Sequence, residues 1–262
     1  MAIVTVIIPT YKSAGKLKIS LDSLVDQSYK NFEVVIVDAN SKDKIKDICD
    51  QYKCKINITL INNPEDKGPA DARAVGIKNC NSKYICFLDA LDFWHKNKLK
   101  NQIDEMETKN LPFTYTNTRV VDLTKNKISQ MRYCKNEYSY EDYLKSRGIV
   151  TSSVCILRSL LDESIINVNV RIGGEETIWW QLLMKKHSIK AKLIDTTACT
   201  YYVSSGDSLS SDFVTTFKQQ WHNLHFYFGL SGLKKIITFF QYLVNALYIK
   251  ISLRLKPWET YK

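Results

Sequence analysis

The sequence predicts an α/β protein with a doubly wound, mainly parallel β-sheet and helices on both of its faces. Continuous runs of β-branched residues are typical of strands that are buried on both faces. These runs alternate with segments whose apolar residues recur at helical spacing. Such alternation predicts right-handed crossovers between parallel strands. At 262 residues, 45% of them hydrophobic, the chain is long enough for one such domain and a C-terminal extension.

The first half of the chain carries the clearest alternation. Strands are predicted at 3–9, 32–37, 56–61 and 84–88, each an apolar run that ends at proline or at polar residues. The intervening helices are indicated by apolar residues on one face: Leu17, Leu21, Leu24 and Val25; Ile45, Ile48, Cys49 and Tyr52; a small-residue helix from Pro69; and Leu99, Ile103 and Met106.

The second half is less regular. We predict strands at 113–121, 153–157 and 197–203, and a short helix at 140–145. A further helix opens at Glu175 and Glu176, after the turn residues Gly173 and Gly174. Paired carboxylates at a helix N-terminus are already favourable with the helix dipole, so the pair has a structural explanation as well as a functional one.

Acidic residues follow the predicted strand at 84–88. Asp89 and Asp92 come directly after this buried strand, at the edge of the sheet where ligands bind in open α/β folds. Two such acids can hold a hard cation and, through it, a phosphate. Aspartate is also a favoured helix cap, and this alternative is equally compatible with the stretch. Neither GxGxxG nor GxxxxGK[ST] follows the first strand, which argues against a dinucleotide or P-loop site.

The overall charge favours anionic surroundings. A net charge of +10 and a pI near 9.1 suit nucleic acid, anionic lipid or a phosphorylated substrate, but the basic residues are scattered, so no nucleic-acid arm is indicated. The seven cysteines form no CxxC pair and indicate reduced core thiols in a cytosolic protein. We also expect no signal peptide, because a strand-like run begins at Ile3 without a basic segment before it.

Four ordered motifs give the chain a family resemblance. They are VTVIIPTYKSAGKLKISLDSLVDQSYKNFEVVIVDANS, PADARAVGIKNCNSKYICFLDALDFW, GGEETIWWQLLMKKHSI and YYVSSGDSLS. In this order the motifs resemble those of the family 2 glycosyltransferases, which have the GT-A fold. The resemblance covers roughly residues 1–212, and four matches in sequence are more specific than any one of them.

The resemblance implies transfer of a sugar, with inversion, from a nucleotide-sugar that is commonly a UDP-sugar. Carried over to this sequence, it implies these site residues: Pro9, Thr10, Tyr11, Asp38, Arg73 and Asp89 for the nucleotide-sugar, Asp92 for a divalent cation (Mg²⁺ or Mn²⁺), and Glu176 for the catalytic base, with Glu175 beside it. The chemistry is consistent with this set. A diphosphate leaving group needs its charge neutralised, and an acceptor hydroxyl needs a carboxylate to take its proton.

The sequence departs from the family pattern at four places. Ala39 replaces an acid that contacts the uracil imide, and Leu91 replaces the first acid of the terminal pair in the DxDD-like motif. Glu176 stands where aspartate is usual, and Ser204 or Ser205 where histidine is frequent. Two interpretations remain: a working enzyme with weaker metal dependence, or a catalytically degenerate binding or scaffold protein.

We predict a catalytic domain at 1–212, which consists of a nucleotide-sugar half (1–110) and an acceptor half (111–212). The C-terminal segment 213–262 is predicted to be a helical tail. Its apolar residues recur at helical spacing: Ile236, Phe239, Phe240, Leu243, Leu247 and Ile251. An opposite polar stripe is expected from Thr238, Gln241, Asn245 and Ser252. We interpret the tail as an interfacial helix, with Lys234, Lys235, Lys250, Arg254 and Lys256 near acidic headgroups. Packing on the catalytic domain or at a dimer contact is the alternative.

Together these features predict a cytoplasmic enzyme that is peripheral on the inner face of the cell membrane. The resemblance and the basic tail imply a lipid-linked saccharide acceptor and a role in bacterial surface-polysaccharide assembly, such as O-antigen or capsule. Nucleic acid is not an expected partner.

Overall fold

The computed structural model describes residues 2–122, 127–132, 135–146, 148–167, 175–203 and 213–255. The strands are β1 (Val4–Thr10), β2 (Phe32–Asp38), β3 (Ile58–Asn62), β4 (Tyr84–Phe87), β5 (Phe93–Trp94), β6 (Phe113–Asp122), β7 (Lys127–Arg132), β8 (Glu137–Tyr138), β9 (Cys155–Leu157) and β10 (Ala191–Val203). The helices are α1 (Ala14–Val25), α2 (Ile45–Tyr52), α3 (Pro69–Lys78), α4 (Lys98–Lys109), α5 (Tyr140–Leu144), α6 (Glu163–Ile166), α7 (Glu175–His187), α8 (Phe213–Phe226) and α9 (Gly232–Leu255).

The strands form one sheet in the order β3-β2-β1-β4-β9-β6-β10-β5, with β7 on β6 and β8 on β10. The strands β3, β2, β1 and β4 are parallel, which confirms the doubly wound arrangement predicted for the first half. The strand β9 is antiparallel to both of its neighbours, and β6 and β10 are again parallel. The whole sheet is therefore mixed, with four parallel strands from the first half of the chain and one further parallel pair, β6 and β10.

Helices cover both faces of the sheet, as predicted. In β1, Val6 and Ile8 pack in one core cluster with α1, α2 and α4, whereas Ile7 packs in the opposite cluster with α3 and α7. This division follows from the two-residue period of a strand, which sends successive side chains to opposite faces. Because both faces are buried, β1 is mostly apolar, and the hydroxyl of its buried Thr5 is hydrogen-bonded to Glu33 and Ser82.

The short strands and some element bounds differ from the sequence-based expectation. The strand predicted at 153–157 begins at Cys155, after a 3-10 turn at Thr151–Ser153, and the strand predicted at 197–203 extends over Ala191–Val203. The two-residue strands β5 and β8 are too short to produce a periodic pattern. The predicted turn at 173–174 and the closing loop at 204–212, with Ser204 and Ser205, lie outside the described residues.

The cysteines in the described ranges are free thiols. Five of them are buried, which confirms the expectation of reduced core cysteines: Cys49, Cys80, Cys86, Cys155 and Cys199. Cys54 is exposed, and Cys134 lies outside the described residues.

The helices α8 and α9 pack on the second half of the domain. The Nε2 of Gln220 donates to the carbonyl oxygen of Leu144 (2.9 Å), and the Nδ2 of Asn245 donates to that of Lys145 (2.8 Å). Leu224 lies in a core cluster with Ile178 of α7. The C-terminal helices are thus attached to the helix that begins with Glu175 and Glu176.

The helix α9 has two apolar faces, one packed and one exposed. The packed face includes Phe239, whose ring lies 5.0 Å from that of Trp221, and the buried Tyr242. The prediction that Thr238 lies on an exposed polar stripe is wrong, since Thr238 is 6% exposed and shares the packed face. Residues of the opposite face point to solvent: Leu233, Ile236, Ile237, Phe240, Val244, Leu247 and Tyr248. In the part of the chain that the structure describes, no helix is long and apolar enough to cross a membrane.

Candidate active site

The first part of the site lies where β1 and β2 end side by side. The hydroxyl of Thr10 donates to Asp38 Oδ1 (3.0 Å), and the backbone N–H of Ser41 donates to Asp38 Oδ2 (2.9 Å). The Ser41 hydroxyl also contacts Asp38 Oδ1. Asp38 is therefore buried and fixed, whereas the neighbouring Tyr11 is 61% exposed and Pro9 is half-buried. Tyr11 and Pro9, which could contact a nucleobase, thus lie next to a carboxylate that is fixed by hydrogen bonds.

The second part is the turn that follows β4. Its backbone is held by the hydroxyl of Ser20, which accepts from the Leu91 N–H (3.0 Å) and donates towards the carbonyl oxygens of Asp92 (3.0 Å) and Asp89 (3.3 Å). Leu91 has a φ of 102°, a conformation that leucine rarely adopts. Neither acid caps the next helix, because α4 begins at Lys98 with Asn97 as its cap residue. The helix-cap alternative is thereby excluded.

Asp92 points inward from this turn and is 2% exposed. Its Oδ2 accepts from the hydroxyl of Ser152 and its Oδ1 from the backbone N–H of Tyr202 (3.3 Å). Ser152 also accepts from the backbone N–H of Asp89 (3.1 Å), and its carbonyl oxygen accepts from Trp94 Nε1 (2.7 Å). Ser152 therefore ties both acids of the turn to the middle of the sheet.

Arg73 of α3 joins the turn to the helix α7. Its guanidinium forms one ion pair with Asp89 and a second with Glu176, and its side chain is only 3% exposed. Glu176 is 14% exposed and Asp89 is 38% exposed, so the solvent side of this group lies at Asp89. The neighbouring Glu175 is also buried, in the first turn of α7. Arg73, Asp89 and Glu176, which are far apart in the sequence, are in direct contact.

Burial is the main influence on the pKa of Asp92. Burial, and after it the charge of Asp89, raises the pKa of Asp92 well above its ordinary range. The hydrogen bonds from Ser152 and Tyr202 and the charge of Arg73 act in the opposite direction. Among the described residues, no group of three or more His, Cys, Asp or Glu is arranged to hold a metal ion. Asp92 as a metal ligand thus stays a prediction.

The structure brings the predicted residues together in two neighbouring groups. The strand β1 pairs with both β2 and β4, so the group at Thr10 and Asp38 and the group at Asp89 and Asp92 lie at the same edge of the sheet. The sequence did not single out Ser20 or Ser152, because a serine in a helix and a serine in a 3-10 turn belong to no motif by which to find them. Their importance follows from contacts with residues at least 60 positions away.

Comparison with known proteins defines the class: the protein is a glycosyltransferase. The sequence profile of Glycosyl transferase family 2 matches residues 5–166, which is more than half of the chain. The chain therefore belongs to glycosyl transferase family 2.

Two curated bacterial relatives match almost the whole chain. The chain is 30% identical over 250 residues to the UDP-Glc:alpha-D-GlcNAc-diphosphoundecaprenol beta-1,3-glucosyltransferase WfaP of Escherichia coli, with 94% of this chain and 95% of that protein covered. It is 27% identical over 245 residues to the putative teichuronic acid biosynthesis glycosyltransferase TuaG of Bacillus subtilis (strain 168), with 93% and 96% covered.

Solved structures share the fold. TarS 1-349 of S. aureus in complex with UDP-GlcNAc superposes with a TM-score of 0.72 at 18% identity, covering 98% of this chain and 76% of that one. The mannosyltransferase PcManGT of Pyrobaculum calidifontis, in complex with GDP-Man and Mn2+, gives a TM-score of 0.62 at 15% identity, covering 95% and 75%. These likenesses confirm the predicted GT-A fold.

Proposed function

We propose that this glycosyltransferase moves a sugar, with inversion, from a UDP-sugar to a hydroxyl of a lipid-linked saccharide in the assembly of a bacterial surface polysaccharide. The observation that carries the proposal is the contact of Arg73 with Asp89 and Glu176 at the carboxyl edge of the parallel strands. This contact places the guanidinium of Arg73, which suits a diphosphate, beside the carboxylate of Glu176, which suits proton transfer. The activity of the relative WfaP, a UDP-Glc:alpha-D-GlcNAc-diphosphoundecaprenol beta-1,3-glucosyltransferase, supports the class of donor and the class of acceptor.

Glu176 is the proposed base. In a single inverting displacement, a carboxylate takes the proton of the acceptor hydroxyl, whose oxygen bonds to the sugar carbon from the face opposite the diphosphate. The electron pair of the broken bond leaves with the diphosphate. Glu176 is 14% exposed, so it is shielded from bulk water yet reachable by a substrate. Glu175 beside it adds a second buried acid at the N-terminus of α7, where the helix dipole favours negative charge.

The nucleoside would bind at the ends of β1 and β2. Pro9, Thr10 and the exposed Tyr11 would line the base, and Asp38 would keep their backbone in place through the Thr10 hydroxyl. The backbone N–H of Ala39 donates to the carbonyl oxygen of Thr10 (2.9 Å), so Ala39 keeps this connection although it lacks a carboxylate for the base. We therefore expect weaker discrimination among bases than a carboxylate would give.

A divalent cation, Mg²⁺ or Mn²⁺, would be held by Asp92. Carboxylate oxygens suit such hard cations, and the hydrogen bonds from Ser152 and Tyr202 orient Asp92 in the way that outer contacts orient metal ligands. Asp89 offers a second carboxylate on the same turn, but it is already paired with Arg73. When bound, the cation would neutralise charge on the leaving diphosphate.

Substitution of the two acids tests the catalytic assignment. We expect Glu176→Gln to abolish sugar transfer in an assay with a panel of nucleotide-sugars and synthetic lipid-diphosphate acceptors. We expect Asp92→Asn to abolish transfer too, and also to remove Mn²⁺ binding measured by calorimetry. Glu107→Gln, which changes an exposed acid paired with Lys83, serves as the control. Near-normal transfer by either site variant would refute that residue's role, and a wild-type protein that binds no donor would instead favour the scaffold interpretation.

The exposed face of α9 is the proposed membrane contact, and the protein would be peripheral on the inner face of the cell membrane. Among the described side chains of α9, seven apolar ones face solvent, opposite the face that packs on α8. The segment 213–262 contains seven Lys or Arg residues and a single acid, Glu259. An apolar helix face within a basic segment matches a membrane surface, which has an apolar interior and anionic lipid headgroups. A lipid-linked acceptor would then lie on the same surface as the enzyme.

Vesicle composition tests this part of the proposal. The full-length protein should sediment with vesicles that contain phosphatidylglycerol, sediment less with pure phosphatidylcholine, and be released by salt as surface charge is screened. Equal sedimentation with both vesicle types would contradict the charge argument, and none with either would refute membrane binding. Unchanged membrane partition after deletion of the residues beyond Ser231 would also refute the assignment to α9.

A further inference from the structure

Arg73 is shared between two carboxylates at the centre of the site. Its Nη2 pairs with Asp89 and its Nη1 forms an ion pair with Glu176. Arginine is the side chain best shaped to bind phosphate through two parallel hydrogen bonds. Without donor, Arg73 is occupied by two carboxylates, Asp89 and Glu176, and Glu176 is the residue proposed as the base.

The same contact bears on the reactivity of Glu176. A carboxylate that is paired with a guanidinium is a weaker base than one without a positive partner, because the pair stabilises the charged form. A base that waits for substrate in an ion pair must lose that pair before it can take a proton efficiently. The arrival of a second, more highly charged anion at Arg73 is one way to remove it.

We propose that the diphosphate of the donor competes with Glu176 for Arg73, so that donor binding releases the base. This inference rests on the function proposed above and deepens it. Once Arg73 turns to the diphosphate, Glu176 is left as a shielded carboxylate and takes the proton of the acceptor hydroxyl as the new glycosidic bond forms. The bond to the diphosphate breaks in the same step, and its electron pair stays on the phosphate oxygen. Transfer chemistry is thereby coupled to the presence of donor.

Competition makes an unusual prediction about affinity. Removing the charge of Glu176 should tighten the binding of a nucleoside diphosphate, because Arg73 then has only Asp89 as an anionic partner and the diphosphate no longer has to displace Glu176. We expect Glu176→Gln to bind UDP about tenfold more tightly than the wild type in calorimetry, which corresponds to the loss of one well-shielded ion pair. Uridine, which has no phosphate, should bind all variants with the same affinity.

Glu175 provides a matched control for charge alone. It is a buried acid one position away, at the same helix terminus, and within the described residues it forms no ion pair with Arg73. If Arg73 is the cause, Glu175→Gln should change the UDP affinity by less than about twofold. Equal gains in Glu175→Gln and Glu176→Gln would mean that any lost negative charge favours UDP, and would overturn the inference.

Glu176→Asp gives a second test that preserves the charge. Its side chain is shorter by one methylene, so it should loosen the contact with Arg73 while keeping a carboxylate in place. We expect UDP binding to tighten by about threefold, whereas an effect of charge alone predicts no change. Thermal unfolding of each variant would confirm that the fold is intact.

The outcomes separate this inference from the proposed function. Wild-type protein that binds UDP, together with unchanged affinity in Glu176→Gln and Glu176→Asp, would refute the competition and leave the proposed function standing. Failure of the wild type to bind any nucleoside diphosphate would overturn both.

Discussion

Replacing Phe240 by serine should weaken the binding of the protein to phosphatidylglycerol vesicles by about tenfold. Phe240 lies near the middle of the exposed apolar face of α9 and is 64% exposed. Burying a whole phenylalanine side chain contributes about 1.5–3 kcal/mol, so the exposed two thirds can contribute roughly 1–2 kcal/mol in the interface. A change of about 1.4 kcal/mol corresponds to a factor of ten in the partition coefficient.

The effect should grow with the number of residues replaced. Ile237 and Leu247 lie on the same face and are 48% and 56% exposed. With Phe240, their replacement by serine should remove roughly 3–4 kcal/mol and reduce partition by at least a hundredfold. The assay is co-sedimentation with sucrose-loaded vesicles over a range of lipid concentrations. Because these side chains are already in water, the melting temperature should stay close to the wild-type value.

The control is Gln241→Ser, one residue along α9. Gln241 is exposed but polar, so its replacement removes little apolar surface and should leave partition unchanged. A Phe240→Ser protein whose partition lies within twofold of the wild type would refute the proposed membrane face. A wild-type dimer that dissociates in the same variant, seen by light scattering, would instead identify the face as a contact between two copies.

Substitutions at Gly76, Asp92 and Leu91 test the fold and the site. Gly76→Ala should lower the free energy of unfolding in urea by about 1–2 kcal/mol, because the added Cβ would lie 2.6 Å from Ile7 Cγ2. Gly15→Ala is the control and should be neutral or slightly stabilising, because no atom lies within 4 Å of the added Cβ. Asp92→Asn should unfold at a higher urea concentration than Asp92→Ala, because its amide oxygen can still accept from the Tyr202 N–H and its amide N–H can donate to the Ser152 hydroxyl oxygen. Burial raises the pKa of Asp92 above its value in the unfolded chain, so the wild type should lose stability relative to Asp92→Asn as the pH rises above the ordinary carboxyl value. Equal pH dependence of the two proteins would contradict this reasoning. Leu91→Asp should tighten Mn²⁺ binding about tenfold in calorimetry, because it adds a second carboxylate to the turn. Aspartate also tolerates a positive φ better than leucine does. Unchanged affinity would mean that the metal binds elsewhere.

Most of the sheet was predictable because its signals are local. The run at β1 and the helical spacing of Leu17 and Leu21 in α1 each arise within one element, so the sequence shows them directly. The exposure of a helix face depends instead on which neighbours pack against it. Thr238 looks like part of a polar stripe in the sequence, yet it is buried, because α8 covers that side of α9.

The site was predictable in its acids but not in its connections. The strand ending marked Asp89 and Asp92 as candidates, and the paired acids marked Glu176. The ion pairs of Arg73 join residues from three separate elements, and no local pattern encodes that meeting. The resemblance implied that Arg73 lies near the nucleotide, whereas its contact with the proposed base required the structure.

The turn at Leu91 bears on whether the site is active. A non-glycine residue at φ 102° costs on the order of 1–3 kcal/mol and persists only where its surroundings hold it in place. Here the Ser20 hydroxyl binds the Leu91 N–H and two carbonyl oxygens of the turn, so the backbone shape does not depend on an acidic side chain at position 91. The loss of the first acid of the pair therefore leaves Asp89 in contact with Arg73, and Arg73 in contact with Glu176. A strained turn that still aligns these groups favours a working transferase over a scaffold, which needs neither the strain nor the alignment.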